Sequence, residues 1–116
     1  MSKKTHGDKP RLDLFPPEAL IGAARVLAYG AKKYGARDWE RGNDYGKYYA
    51  AALRHLLAWW GGEENDRESG LLHLDHAACN LALLRAMAAR GIGRDDRQKN
   101  RATGANRYYR RQKLRE

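Results

Sequence analysis

Cysteine is almost absent from this 116-residue chain: Cys79 stands alone, which excludes an internal disulfide and fits a reducing compartment. A single cysteine also leaves no Cys/His zinc-finger spacing. No apolar run approaches the roughly 20 residues that a membrane span needs. The N-terminal stretch MSKKTHGDKPRLDL is charged, with no apolar stretch behind it, so no signal peptide is expected. The glycine-rich GxxxxGK[ST] loop is missing, which excludes a P-loop kinase. His73-Leu74-Asp75-His76 is not the adjacent His-Asp pair of the HD-type phosphohydrolases. Alternating strand patterns of useful length and internal repeats are missing too. These absences leave a soluble, cytoplasmic, all-α protein with no membrane partner as the expectation.

What is present is one domain's worth of chain, 42% hydrophobic, which is ordinary for a globular protein. The net charge of +9 is unevenly placed: residues 90–116 carry 10 Lys/Arg against 3 Asp/Glu, while the first 89 residues are close to neutral. The sequence therefore divides into a body over residues 9–91 and a basic C-terminal tail over residues 92–116, with no fixed structure assigned after Gly91. The tail's Asn106-Arg107-Tyr108-Tyr109-Arg110-Arg111 mixes aromatics with cations, which suits a weak nucleic-acid contact. A frayed, solvated end is the plainer reading.

Three helices are legible. The first runs from Pro17, with Glu18 beside it, to Tyr34 and a stop at Gly35. It is apolar nearly all round, which predicts burial on more than one side. The second runs from Asp44, an expected N-cap, to Gly61-Gly62, with Tyr49, Leu53, Leu56, Leu57 and Trp60 as its core stripe. Ala51, His55, Ala58 and Trp59 lie on its other face. The third begins near Ser69-Gly70 and ends at Gly91, with Leu74, Ala77, Ala78, Leu81, Leu84 and Ala88 on one face. Three helices cannot bury both faces of two of them, so a homo-oligomer, a dimer or tetramer, is expected to complete the bundle.

Chemistry-bearing residues concentrate after the second helix. Glu63, Glu64, Asp66, Glu68 and Asp75 fall within 13 residues, and His73 and His76 lie in the same stretch. On a helix, His73, His76 and Asn80 share one stripe that turns apolar at Leu83 and Met87. Packed carboxylates repel one another unless a cation sits among them. Oxygen donors suit Mg2+ or Mn2+, and imidazoles shift the balance toward Mn2+, Co2+ or zinc. The plainer alternative is a solvated acidic loop followed by two helix-start histidines. Lys32 and Lys33 end the first helix, where they complement its dipole or meet phosphates. Arg54, set among Leu, Ala and Trp, calls for an anionic partner. Tyr34, Trp39, Trp59 and Trp60 are able to stack on a base, or belong to the core.

One combination of motifs carries a resemblance. It comprises Lys9-Pro10-Arg11-Leu12-Asp13-Leu14, Pro16-Pro17-Glu18-Ala19-Leu20, Tyr29 to Gly35, and Asp38-Trp39-Glu40-Arg41-Gly42. It continues through Arg54-His55-Leu56, Gly62-Glu63, Asp66, Glu68 to Leu71 and His73 to Asn80. In that order the chain resembles the phage dATP/dGTP diphosphohydrolase domain (MazZ-like), a divergent branch of the all-helical MazG-like nucleoside triphosphate pyrophosphohydrolases. The resemblance implies a helical bundle, divalent cations held between central helices, and cleavage between the α and β phosphates of a purine deoxynucleoside triphosphate during phage replication. The paired ExxE and ExxD helices of the wider MazG group are not found here, so the architecture carries over better than the ligands. Glu63, Asp66, Glu68, His73 and His76 are the metal-ligand candidates, and His55 or Glu63 is the candidate proton acceptor. Lys32, Lys33 and Arg54 are expected to hold phosphates, with Tyr34, Trp39 and Asn80 toward the base. Asp75 departs from the small residue usual at its position and reads as a surface accident. A basic helical module that binds DNA or RNA through the tail, without a metal, is the competing expectation.

Overall fold

Proline at N1 has no amide hydrogen to leave unpaired, and an acid beside it complements the positive helix end. Pro17 and Glu18 accordingly open helix α1, Pro17–Tyr34, in the computed structural model, which describes residues 8–98. Lys32 and Lys33 occupy its last turn, and Gly35 (φ 99°) ends it with its N–H on the Ala31 carbonyl. A short 3-10 turn, Asp38–Arg41, leads to helix α2, Tyr45–Trp60. Helix α3, His73–Arg90, closes the bundle and ends at left-handed Gly91. Among the described residues there is no strand, only two isolated bridges. The all-α expectation stands.

Helix α3 is central, because both α1 and α2 pack against it. Its inner stripe, His73, His76, Ala77, Cys79 and Met87, is buried, and Met87 is fully so. Removing such a side chain from water contributes roughly 1.5–3 kcal/mol. This core is smaller and differently placed than the hydrophobic pattern suggests. The expected core stripe of α2 is exposed: Tyr49, Leu53, Leu56, Leu57 and Trp60 all face outward, and Ala52 is the buried position. Leu74 and Leu81 of α3, and Leu20, Ile21 and Leu27 of α1, are exposed as well. Small residues make the inner contacts because α3 approaches its neighbours closely, which pushes the large side chains to the rims.

Four local expectations are corrected. Asp44 stands at the N-cap position of α2 but makes no side-chain cap; Arg94 holds its carboxylate with two hydrogen bonds of 2.8 and 3.1 Å. The α2 amide at Gly46 is capped instead by Asp96 Oδ1 at 2.8 Å, a residue 50 positions away. Residues 92–98 therefore have fixed structure, contrary to the expectation of none after Gly91. Tyr45 N–H donates to the Arg94 carbonyl, Arg94 N–H to the Asn43 carbonyl, and Tyr45 Oη to the Ile92 carbonyl. The tail from residue 99 onward lies outside the described residues.

The third helix starts at His73 rather than near Ser69-Gly70 because an ordered turn consumes the intervening donors. Ser69 N–H is bonded to the Asp66 carboxylate, Gly70 N–H to the Asp66 carbonyl, and Asp66 N–H to the Leu71 carbonyl. Asp75 is likewise no surface accident. It is half-buried on α3 where α1 crosses, and a Cβ at Gly22, the buried residue of α1, would collide with its carboxylate.

Gly22→Ala should thus be destabilising by about 1–3 kcal/mol in the native background, the scale of overpacking. In an Asp75→Ala background the same change should become stabilising by up to about 1 kcal/mol, the helix-propensity gain of Ala over Gly. Urea unfolding of the four proteins at one concentration measures the cycle. Equal effects of Gly22→Ala in both backgrounds would mean that this close approach does not govern the α1–α3 seam.

Candidate functional site

The first turn of α3 faces the middle of α2, and this brings three imidazoles together. His55 Nδ1 lies 2.9 Å from His73 Nδ1. The His55 ring stacks on His76 with centroids 4.4 Å apart and planes 8° from parallel. His73 is buried, and its Nε2 meets Glu63 Oε1 at 2.7 Å. A carboxylate only accepts, so that nitrogen carries the hydrogen and Nδ1 presents a lone pair to His55. Asp66 completes the group: one ligand atom each from His55, Asp66 and His73 lies within 4.8 Å of the others.

His76 Nε2 contacts Ser69 Oγ at 2.6 Å and lies 4.0 Å from Asp66 Oδ2. Ser69 also donates its N–H to Asp66, so one serine orients both the acid and the imidazole. A nitrogen–carboxylate donor set with an outer carboxylate behind one histidine fits a divalent cation, since ligating histidines are commonly oriented in this way. Two imidazole donors favour Mn2+, Co2+ or zinc over magnesium.

The electrostatics favour the neutral form of two of the imidazoles, His55 and His76. Burial lowers the pKa of His55, with His76 adding to the effect, and burial likewise lowers that of His76. Burial pulls Asp66 upward, but the Ser69 amide and hydroxyl, with His76 and His55, outweigh it and leave the carboxyl below its usual range. Glu63 is lowered by its hydrogen bond to His73. Glu68 is lowered by Lys33, whose ammonium it meets at 2.5 Å, and it also accepts from Tyr29 Oη at 3.2 Å. Burial pushes the Cys79 thiol up to about 11, so this cysteine is no nucleophile.

Several of these groups lie along a cleft of about 950 Å3 between α1, the 35–43 segment, α2 and α3. Lys33, Tyr34, Trp39, His55, Asp66, Glu68, His76 and Asn80 line it, as the sequence proposed for binding or catalysis. Lys32, Arg54, Glu63 and His73 do not. Glu63 sits behind His73 and is also paired with Arg67, an orienting position rather than a cleft-lining one. Glu68 is engaged by Lys33 and lies outside the close ligand group. Arg54 is corrected: it is exposed and makes no hydrogen bond or ion pair among the described residues, because α2 turns it outward while the adjacent His55 turns in. The sequence reading assigned no role to Tyr29, Tyr48 or Ser69. Only the Ser69 position carried a signal, three residues after Asp66 and seven before His76.

A family model described as "dATP/dGTP diphosphohydrolase, N-terminal" matches residues 1–97. A dATP/dGTP diphosphohydrolase of Salmonella phage PMBT28 is 37% identical over 76 residues, which is 66% of this chain and 26% of that protein. The chain thus matches about a quarter of the relative's length. No solved structure matches. Among the described residues no helix is long and apolar enough to cross a membrane.

Both shifted imidazoles have a folded-state pKa below the ordinary value of 6.5, so the unfolded chain binds more protons as the pH falls through that range. Stability of the chelated protein should be fully present well above that value and decline as the pH falls through about 6.5 toward the lowered folded-state values. Replacing His55 and His76 together with Gln should flatten that decline in urea titrations. An unchanged slope would mean that the two rings do not titrate as the packing requires.

Proposed function

Because the chain belongs to the dATP/dGTP diphosphohydrolase N-terminal family, we propose that it hydrolyses purine deoxynucleoside triphosphates, dATP or dGTP, to the monophosphate and pyrophosphate with a divalent cation. The observation that carries this reading is the His55, Asp66 and His73 group, whose His55 and Asp66 line a nucleotide-sized cleft that Lys33 also lines. His55, Asp66 and His73 would hold the cation, Mg2+, Mn2+ or Co2+, with Mn2+ or Co2+ better suited to the imidazoles. Bound there, it would polarise the α-phosphate and lower the cost of charge developing on the phosphate oxygens.

The remaining roles fall to side chains. Water attacks the α-phosphorus in line, the bond to the bridging oxygen breaks, and pyrophosphate leaves with the electron pair. The water's proton passes to a neutral imidazole; His76 serves while His55 holds the cation. Glu63 orients His73, and Ser69 orients His76 and Asp66. Lys33 exchanges Glu68 for phosphate oxygens, and Tyr34, Trp39 and Asn80 lie toward the nucleoside. Lys32 and Arg54, outside the cleft, assist only through long-range charge. Clearance of one purine nucleotide from the host cytoplasm during phage replication is the role that fits such a reaction.

Purified protein with Mn2+ should release pyrophosphate from dATP or dGTP, and a chelator should stop it. His55→Ala and His73→Ala should each reduce the rate at least about tenfold, the scale for a lost ligand or its outer shell. Release of single phosphate would contradict the in-line scheme at the α-phosphorus, and near-normal rates in both variants would remove the imidazoles from the chemistry.

We further propose a homo-oligomer related to MazG-like assemblies and formed through α2. Tyr49, Leu53, Leu56 and Trp60 recur every three or four residues, as in a coiled-coil seam, and are exposed, Trp60 at 82% and its neighbour Leu57 at 70%. Sedimentation equilibrium should give a mass of at least twice 13.2 kDa, and Leu53→Glu with Leu57→Glu should reduce it to that of the single chain. A clean monomer at low micromolar concentration would refute the assembly.

A further inference from the structure

Beyond the imidazoles the cleft has a second polar wall. Asn80 lies one turn past His76 on α3, an axial rise of about 6 Å. Its Nδ2 donates to the His76 carbonyl at 2.9 Å, which pins the amide and leaves Oδ1 as an acceptor without a partner among the described residues. Tyr48 of α2 is half-buried on the same cleft, and its hydroxyl makes no hydrogen bond among the described residues. Asp38, at the start of the 3-10 turn, also lines the cleft, and its carboxylate meets only the exposed Arg41 there, at 3.4 Å. Burial raises the Tyr48 hydroxyl, and the negative charge of Asp38, on the same cleft, adds to this. The turn that carries Asp38 is anchored to α3: Arg90 donates to Glu40 at 2.8 Å and its guanidinium lies 4.8 Å from the centroid of the Trp39 ring.

Lys33, paired with Glu68, gives the cleft a cation for phosphates, and Asp38, Tyr48 and Asn80 line the same cleft with Trp39. The free groups of this wall are mainly acceptors: a carboxylate, an amide oxygen and a phenol that is able to accept. The pairing edge of guanine presents adjacent donors, N1–H and N2–H2, which a carboxylate accepts in a bidentate fork. Adenine presents its N1 lone pair at that place, against the carboxylate. Sites built to hydrogen-bond a substrate reject analogues that leave their buried polar groups unpaired.

We propose that Asp38, Tyr48 and Asn80 form the base-reading wall of the cleft and that their acceptors select guanine over adenine. This rests on the triphosphate-hydrolysing reading given above. The test has a kinetic arm and a binding arm. kcat/KM is measured for dGTP, dATP and dITP, which lacks the 2-amino group, in the native protein and in Asp38→Asn. Affinities for the non-hydrolysable α,β-methylene analogues of dGTP and dATP are measured by calorimetry.

The native protein should favour dGTP by at least about tenfold, with dITP between, corresponding to about 1.4 kcal/mol. Asp38→Asn should reduce the dGTP/dATP ratio of kcat/KM at least about tenfold, mainly through KM for dGTP. If Asp38→Asn lowers the unfolding midpoint, the same ratio is read in Asn80→Leu. Turnover of both nucleotides with equal efficiency, a preference for dATP, or a ratio that Asp38→Asn leaves unchanged would overturn the inference while the hydrolytic reading stands. No turnover of any nucleotide would sink the hydrolytic reading, and the analogue affinities then decide: tighter dGTP-analogue binding lost in Asp38→Asn supports the wall, and equal or absent binding overturns it.

Discussion

Two imidazole nitrogens held 2.9 Å apart across the α2–α3 seam set the terms for the rest of the structure. With Glu63 fixing the hydrogen on the far nitrogen of His73, the near nitrogen offers a lone pair, so the contact is favourable only with a proton or a cation to share. Protonation of His55 and His76 is opposed by their burial and by the neighbouring imidazoles, which lower both groups. The site is therefore arranged for lone-pair donation. Its integrity depends on the close approach of α2 and α3, which small residues such as Ala52 and Ala77 permit.

That close approach has a cost in core size. Helix packing through alanines brings backbones together but buries little apolar area, and Met87 is the one large side chain removed completely from solvent among the described residues. The large aliphatic and aromatic side chains that would build a conventional core remain on the outer faces of α1 and α2. Hydrogen bonding offsets part of this: the return of residues 92–98 caps α2 through Asp96 and clamps Asp44 through Arg94. The ordered 63–72 turn pairs its Asp66, Ser69, Gly70 and Leu71 amides within itself before α3 begins. Stability near the site is thus carried by specific polar contacts more than by a deep hydrophobic interior, which suits a cleft that must stay open to a charged ligand.

Charge is divided along the cleft for a related reason. Lys33, which lines the cleft, is already held by an acid partner, Glu68. Arg90, which also lines the cleft, is occupied by Glu40 and Trp39 and serves the turn. A positive residue lining the cleft is not automatically a phosphate binder; what it is paired with decides.

The sequence by itself determined the helix content, because proline at N1, glycine stops and helical spacing are local signals. The span of α1 from Pro17 to Tyr34 was legible for that reason, and so was the acid and histidine cluster ahead of α3, where close spacing brings Asp66, Ser69, His73 and His76 into one neighbourhood. The phosphohydrolase family was legible as an ordered set of short motifs. Tertiary structure alone decided which face of α2 turned inward. Both faces are apolar, so the pattern could not choose, and the close α2–α3 packing selected the Ala52 and His55 side while turning Arg54 and the leucine stripe out. It also decided that Asp44 would pair with Arg94 and leave the cap to Asp96, since a contact between residues 50 positions apart leaves no periodic trace. The division of the acids, with Asp66 in the ligand group, Glu63 behind His73 and Glu68 on Lys33, followed from how the 63–72 turn folded back, a matter of three-dimensional hydrogen bonding that no spacing encodes.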